Sequence, residues 1–266
     1  MLKDKLLIGQ YYETHSPLHR LDARSKIIAT VIYMVLLFVA NNWLGYGLLA
    51  TIFVVVTVIS RIPVISFWRG MKLILFFCIL TVALNIFLYG ENIIWQWRFL
   101  KITGEGVSHG LAMGLRLLLL VTFASLLTLS TKPIQLTDGL ERLFSPLQRI
   151  GIPAHEIAIM MSIALRFIPT ILEEFDRIML AQRARGANFS KGNIFHRVKQ
   201  LVPLLVPLFV GSFRRAEELA QAMDAKCYRG GQGRSHWRPS RWLIGDTLFL
   251  GIFLMIAAVV AALRIY

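Results

Sequence analysis

Residues 171–186 read Ile171-Leu172-Glu173-Glu174-Phe175-Asp176-Arg177-Ile178-Met179-Leu180-Ala181-Gln182-Arg183-Ala184-Arg185-Gly186. Ile171, Leu172, Phe175, Ile178 and Met179 recur at the spacing of one helix face, and Glu173, Glu174, Asp176 and Arg177 fill the other. The plan returns between Phe213 and Gly231. There Phe213, Ala216, Leu219, Ala220 and Met223 oppose Arg214, Arg215, Glu217, Glu218 and Asp224. Arg214 and Glu218 stand one helical turn apart, a pair that supports an exposed helix by about 0.2–0.5 kcal/mol. Each stretch closes on small residues, cations and glycine: Ala184-Arg185-Gly186 first, then Ala225-Lys226-Cys227-Tyr228-Arg229-Gly230-Gly231. Each also follows a more apolar half, which for the second is Leu201 to Val210 with Pro203 and Pro207 on one face. The periodicity predicts a helix from Pro153 to about Ala184, bent at Pro169, and another over about 194–227. A shorter amphipathic helix is predicted over 133–149, before Gly151-Ile152-Pro153. The fold class is therefore all-α.

The surrounding chain is greasier than a soluble protein. Of 266 residues, 56% are apolar and 17% charged, against about 45–50% and 25% in soluble domains, and the mean hydropathy is +0.61. Yet 29 Lys and Arg stand against 15 Asp and Glu, a formal charge of +14. Residues 131–241 carry 17 of the basic and 9 of the acidic groups; elsewhere the charges gather at breaks between apolar runs. That distribution describes a membrane protein with one large polar insert. It lacks the continuous basic stripe with groove-reading partners that nucleic-acid binding needs.

A helix crossing the hydrocarbon needs about 20 mostly apolar residues. Five stretches qualify, at roughly 26–42, 44–60, 71–89, 108–130 and 243–263. Trp43, Trp68, Trp95, Trp97, Trp237 and Trp242 fall at or between their ends, where interfacial aromatics belong. Gly106, Gly110 and Gly114 line one face of the fourth stretch and admit a close helix neighbour. Arg116 beside them should face protein or water, or reach an interface. Cations crowd the N-terminal segment, the 61–72 loop and the 131–241 insert but are absent from the 41–44 turn. The positive-inside bias then places the N-terminus and the insert in the cytoplasm and the C-terminus outside. The chain divides into a membrane region over 1–130, a cytoplasmic region over 131–241 and a last span in 242–266.

Basic residues and glycine also suit any helix C-terminus, where they answer the macrodipole and the left-handed cap. That reading leaves the length of the amphipathic halves unexplained, about 22 Å for 15 residues. Apolar stripes so long require partners, either each other or another protein. There is no G-x-x-x-x-G-K-[ST] to cradle ATP, no H-E-x-x-H, no G-x-S-x-G and no acidic residue in mid-span. Cys78 and Cys227 suggest no disulfide framework. Pro17 separates His15 from His19, and no Cys/His cluster appears, so neither a metal site nor an active site is expected in this chain.

Particular residues resemble a known family. The run Ala164-Leu165-Arg166-Phe167-Ile168-Pro169-Thr170, with its continuation to Ala184-Arg185-Gly186-Ala187, is similar to the transmembrane T component of energy-coupling factor (ECF) transporters. So are Leu21-Asp22-Ala23-Arg24-Ser25-Lys26, Thr131-Lys132-Pro133, Pro203 to Pro207, Ser212 to Glu218 and Ala222-Met223-Asp224-Ala225. The resemblance implies a prokaryotic importer of vitamins or transition-metal ions in the cell membrane. The two amphipathic helices would be coupling helices whose Ala-Arg-Gly tips seat on two ABC-type ATPase subunits. Ala184, Arg185 and Gly186 match the first tip. Ala225, Lys226 and Cys227 form the second, where Lys replaces Arg and Cys replaces Gly; Lys keeps the charge but loses the bidentate fork. A membrane-embedded substrate-binding S subunit would rest on apolar faces that include Ile171, Phe175, Leu205, Phe209 and Phe213. ATP and Mg would bind the ATPase subunits and no cofactor this chain.

Two other readings remain open from the residues. A component dedicated to one substrate, such as cobalt, nickel or biotin, competes with one shared among several S subunits. A membrane scaffold without transport fits the bare pattern nearly as well.

Overall fold

The computed structural model describes residues 11–14, 16–88, 93–97, 100–146, 153–187, 194–228, 230 and 242–265. In chain order its elements are α1 (Pro17–Arg20), α2 (Ala23–Val39), α3 (Trp43–Ser60), α4 (Val64–Leu88), β1 (Ile93–Trp97), β2 (Leu100–Thr103), α5 (Gly104–Ser130), α6 (Pro133–Phe144), α7 (Ala154–Ala184), α8 (Ile194–Ala225) and α9 (Ile244–Ile265). Two compact units emerge, one holding Leu140–Trp237 and the other Ile8–Gly139 with Arg238–Tyr266. The fold is all-α apart from the antiparallel β1–β2 hairpin.

The expected spans correspond to α2, α3, α4, α5 and α9. Of these, α3, α5 and α9 are long and apolar enough to cross a membrane. α2 has 17 residues, and α4 has 25 with an apolar stretch at Ile74–Ile86. α4 begins at Val64 rather than near 71, because Arg69 and Lys72 are good helix formers and the helix runs through them. Trp68 therefore lies on α4 and not between spans. α7 also has the length and apolarity of a span over His155–Ala184, although it lies within the charged 131–241 region. Between α4 and α5 stands the β1–β2 hairpin. Its strands are rich in β-branched and aromatic residues, and Trp97 pairs with Leu100 across a two-residue connection.

In the unit that holds these helices, aromatic packing joins α2, α5 and α9. Tyr33 stacks on Phe123 with centroids 3.9 Å apart, and Phe123 meets Phe253 edge-on at 6.0 Å. The buried Tyr33 hydroxyl donates to the Leu49 carbonyl on α3 at 3.1 Å, so its polar end is satisfied. The glycine face of α5 lies against α4. A Cβ at Gly110 would sit 3.1 Å from the Val82 carbonyl oxygen, and one at Gly114 would collide with the Val82 side chain.

One end of this bundle is held by polar groups. Asp22 caps α2 by accepting from the Arg24 amide at 2.9 Å. Asp246 at the start of α9 is fully buried and accepts from the Asp22 amide at 2.8 Å, the Ser25 hydroxyl at 2.7 Å and the Leu243 amide at 2.8 Å. Lys26, also buried, reaches the end of α5, donating to the Ser130 carbonyl at 3.1 Å and to Thr131 Oγ1 at 3.3 Å. Arg24 lies over the Trp242 ring, 5.3 Å from its centroid. The starts of α2 and α9 and the end of α5 thus share one end of the bundle.

The other unit is built on α7 and α8. Pro169, Pro203 and Pro207 all lie inside continuous helices, and α7 runs through Pro169 over nearly the expected length. His155 at the start of α7 hydrogen-bonds Glu141 at 2.6 Å. α7 and α8 pack on one another and leave between them an apolar cleft of about 220 Å³, lined by Ile163, Phe167, Ile171, Leu219 and Met223 among others.

Candidate functional site

Both long helices end in the same backbone motif. At the end of α7, Arg185 is the C-cap and Gly186 follows with φ 89°. The Gly186 amide donates to the Arg183 carbonyl at 3.0 Å and the Ala187 amide to the Gln182 carbonyl at 3.0 Å. These two bonds make a Schellman motif, which needs a left-handed residue just past the cap. At the end of α8, Cys227 donates to the Asp224 carbonyl at 2.8 Å and Tyr228 to the Met223 carbonyl at 3.0 Å. Lys226 thus occupies the place of Arg185, and Cys227 that of Gly186.

The departure from Ala-Arg-Gly has a measurable local consequence. Cys227 adopts φ 56°, a conformation that costs a residue with a Cβ about 1 kcal/mol or more relative to glycine. Cys227→Gly is expected to steady the second tip by about 1 kcal/mol. Amide hydrogen exchange in the last turn of α8 should then slow about five-fold; unchanged exchange would refute the strain.

All six tip residues, Ala184, Arg185, Gly186, Ala225, Lys226 and Cys227, are exposed. The cap explains why glycine and cations stand at these ends, as the sequence allowed, and it also presents Arg185 and Lys226 to the surroundings. The candidate apolar face is split. Leu205, Phe209 and Phe213 on α8 are exposed, Phe213 to 70%. Ile171 and Phe175 on α7 are half-buried, and Ile171 lines the cleft between the helices. Met160, Val206 and Val210 extend the exposed apolar surface.

Sequence periodicity put Glu174 and Arg215 on the polar faces of their helices. In the structure they form an ion pair across the α7–α8 packing, Nη2 to Oε2 at 2.7 Å, and both are only about a quarter to a third exposed. Gly211 makes room for it: a Cβ there would lie 2.9 Å from Glu174 Oε1. By contrast, Arg214–Glu218 is an open surface pair at 3.4 Å. Gly211 one turn before Arg215 was the available signal, but no periodicity says which helix a glycine faces.

Apolar helices of spanning length, joined to a pair of long helices with matched cationic ends, define a multi-pass membrane protein. Residues 14–237 match the CbiQ family, described as cobalt transport protein. The chain is 47% identical over 264 residues to the energy-coupling factor transporter transmembrane protein EcfT of Acidaminococcus fermentans, covering 99% of this chain and 98% of the relative. It is 49% identical to EcfT of Ruminiclostridium cellulolyticum, over 95% and 94% of the two chains. Against EcfT of Bacillus subtilis the identity is 43%, over 99% and 100%. The chain belongs to this EcfT/CbiQ family, the transmembrane T components of energy-coupling factor transporters. It is a transporter component working within a complex of several subunits.

Proposed function

We propose that this chain couples two separate ABC-type ATPase subunits to a membrane-embedded S subunit that carries the substrate. The observation that carries the reading is the pair of identical helix caps, each presenting one exposed cation, at the ends of helices packed on each other. Arg185 and Lys226 dock on the two ATPases, which bind ATP and Mg. Closure of the ATPase pair shifts the two tips, and α7 and α8 carry the shift to the S subunit. The Glu174–Arg215 pair and the close approach at Gly211 hold the helices together, so that they move as one lever and do not slide past each other. The exposed apolar residues Leu205, Phe209 and Phe213, with Ile171 and Phe175 nearer the cleft, receive the S subunit. The cargo is a vitamin or similar micronutrient, and the component serves several S subunits.

In this reading α7 and α8 work on the cytoplasmic side although α7 has the composition of a span. Glu173, Glu174, Asp176 and Arg177 in its second half favour that placement, because charges in hydrocarbon are costly. Orientation is supported by the bundle end at which α2 and α9 start. Arg24, Lys26 and Lys132 gather there, and the 41–44 turn at the other end of α2 has no cation. That basic end faces the cytoplasm, and α9 carries the C-terminus to the outside.

Affinity purification of the full chain from its native membrane should bring down two ATPase chains and a small hydrophobic subunit. Different S subunits in separate complexes would establish the shared role. A chain recovered without ATPases would overturn the reading and favour a scaffold. The family description cobalt transport protein sustains a second reading, a component dedicated to cobalt, which a single co-purifying S subunit would favour.

A further inference from the structure

Coupling makes no use of a second cleft, of about 320 Å³, lined by Asn41 and Trp43 at the α2–α3 turn and by Glu105, Ser108, His109 and Arg116 on α5. Arg116 is its unusual member. Its Nη2 donates to the Ala40 carbonyl at 3.3 Å and to the Tyr46 hydroxyl at 2.5 Å. Its guanidinium carbon lies 5.5 Å from the Phe38 ring centroid and 5.7 Å from that of Tyr46. Nη1 finds only the Met113 sulfur, at 3.9 Å, which is a weak acceptor. Nε is buried with no acceptor among the described residues. Among the described residues, two of the three guanidinium nitrogens thus lack an oxygen partner, on a helix that crosses the membrane, where a cation needs one.

The level of the cleft indicates the source of that oxygen. α2 has 17 residues, about 25 Å of helix, between the polar cluster at its start and the Ala40 carbonyl that Arg116 meets. That is close to the thickness of the hydrocarbon, about 30 Å. Arg116 therefore stands near the headgroup level of the leaflet opposite that cluster, beside Trp43, a residue suited to the interface. Phe38, on the inward side of Arg116, is 64% exposed, offering acyl chains apolar surface. Glu105 in the same cleft disfavours a polyanion and suits an ammonium group next to a single negative charge. We propose that the cleft seats the headgroup of a phosphatidylethanolamine-type lipid, with the phosphodiester on Arg116 and the ammonium towards Glu105. Asn41 supplies a neutral donor to the phosphodiester.

Native mass spectrometry of the full chain, delipidated in mild detergent and offered defined lipids, tests this. One phosphatidylethanolamine per chain should be retained, with phosphatidylglycerol bound at least ten-fold less and inorganic phosphate not retained. Arg116→Gln should lower phosphatidylethanolamine retention at least ten-fold. Ala112 also lines the cleft, and Ala112→Trp, which fills it and leaves Arg116 in place, should do the same even if the arginine variant proves unstable. Retention at the original level in Ala112→Trp would overturn the proposal. So would binding of phosphatidylglycerol or inorganic phosphate as strong as that of phosphatidylethanolamine.

Discussion

Arg185→Glu is expected to strip ATPase subunits from the purified complex, reducing their content at least ten-fold and abolishing uptake, while the chain itself stays folded. Arg185 is exposed and its backbone amide is already bonded to the Ala181 carbonyl at 3.2 Å, so the fold does not depend on its side chain. Loss of a cation at a helix C-terminus costs about 0.3–1 kcal/mol. Placing a like charge against a complementary surface costs several kcal/mol, and the second effect wins. Arg183→Glu, one residue before Ala184 on the same last turn, is the matched control. It changes the net charge equally and should leave most of the ATPase bound. Arg185→Lys separates charge from shape: it copies the cation found at Lys226 and should keep assembly while weakening it. Full ATPase content and uptake in Arg185→Glu would remove Arg185 from the docking role.

The tips were legible in the sequence because their signals are local. Cations, small residues and glycine at a helix end are fixed by the geometry of a few consecutive residues, and Gly186 takes the left-handed position that glycine suits. The apolar runs were legible for the same reason, since length and composition decide whether a helix can span. What could not be read was pairing between distant positions. Glu174 and Arg215 carry the same letters as the solvent-facing Glu218 and Arg214, and only the packing of α7 on α8 distinguishes them. The α4 start was misplaced because two cations look like an interruption in composition, whereas helix propensity continues through them. The β1–β2 hairpin escaped notice as a short apolar segment whose strands need each other to exist.

Asp246 is the sharpest case of a long-range role, and its removal should be the largest single loss of stability. The side chain has no exposure and satisfies three donors, the amides of Asp22 and Leu243 and the hydroxyl of Ser25. Asp246→Ala strands the buried Asp22 amide and the part-buried Leu243 amide, while the Ser25 hydroxyl keeps the Asp22 carbonyl as acceptor at 2.8 Å, and it takes a carboxylate from the polar end that also buries Lys26. Each stranded group costs about 1–3 kcal/mol, and the combined loss should be about 3–5 kcal/mol, within the range for breaking a buried charged network. In detergent the apparent Tm should fall by about 10 °C. Asp246→Asn refines the test. Its amide oxygen can still accept from Asp22 and Ser25, which share Oδ1, but its NH₂ then faces the Leu243 amide, donor against donor. The asparagine variant should therefore lose less than the alanine variant and more than a surface substitution. If both variants melt with the original protein, the starts of α2 and α9 are held by apolar packing alone, and the polar cluster does not carry the bundle end.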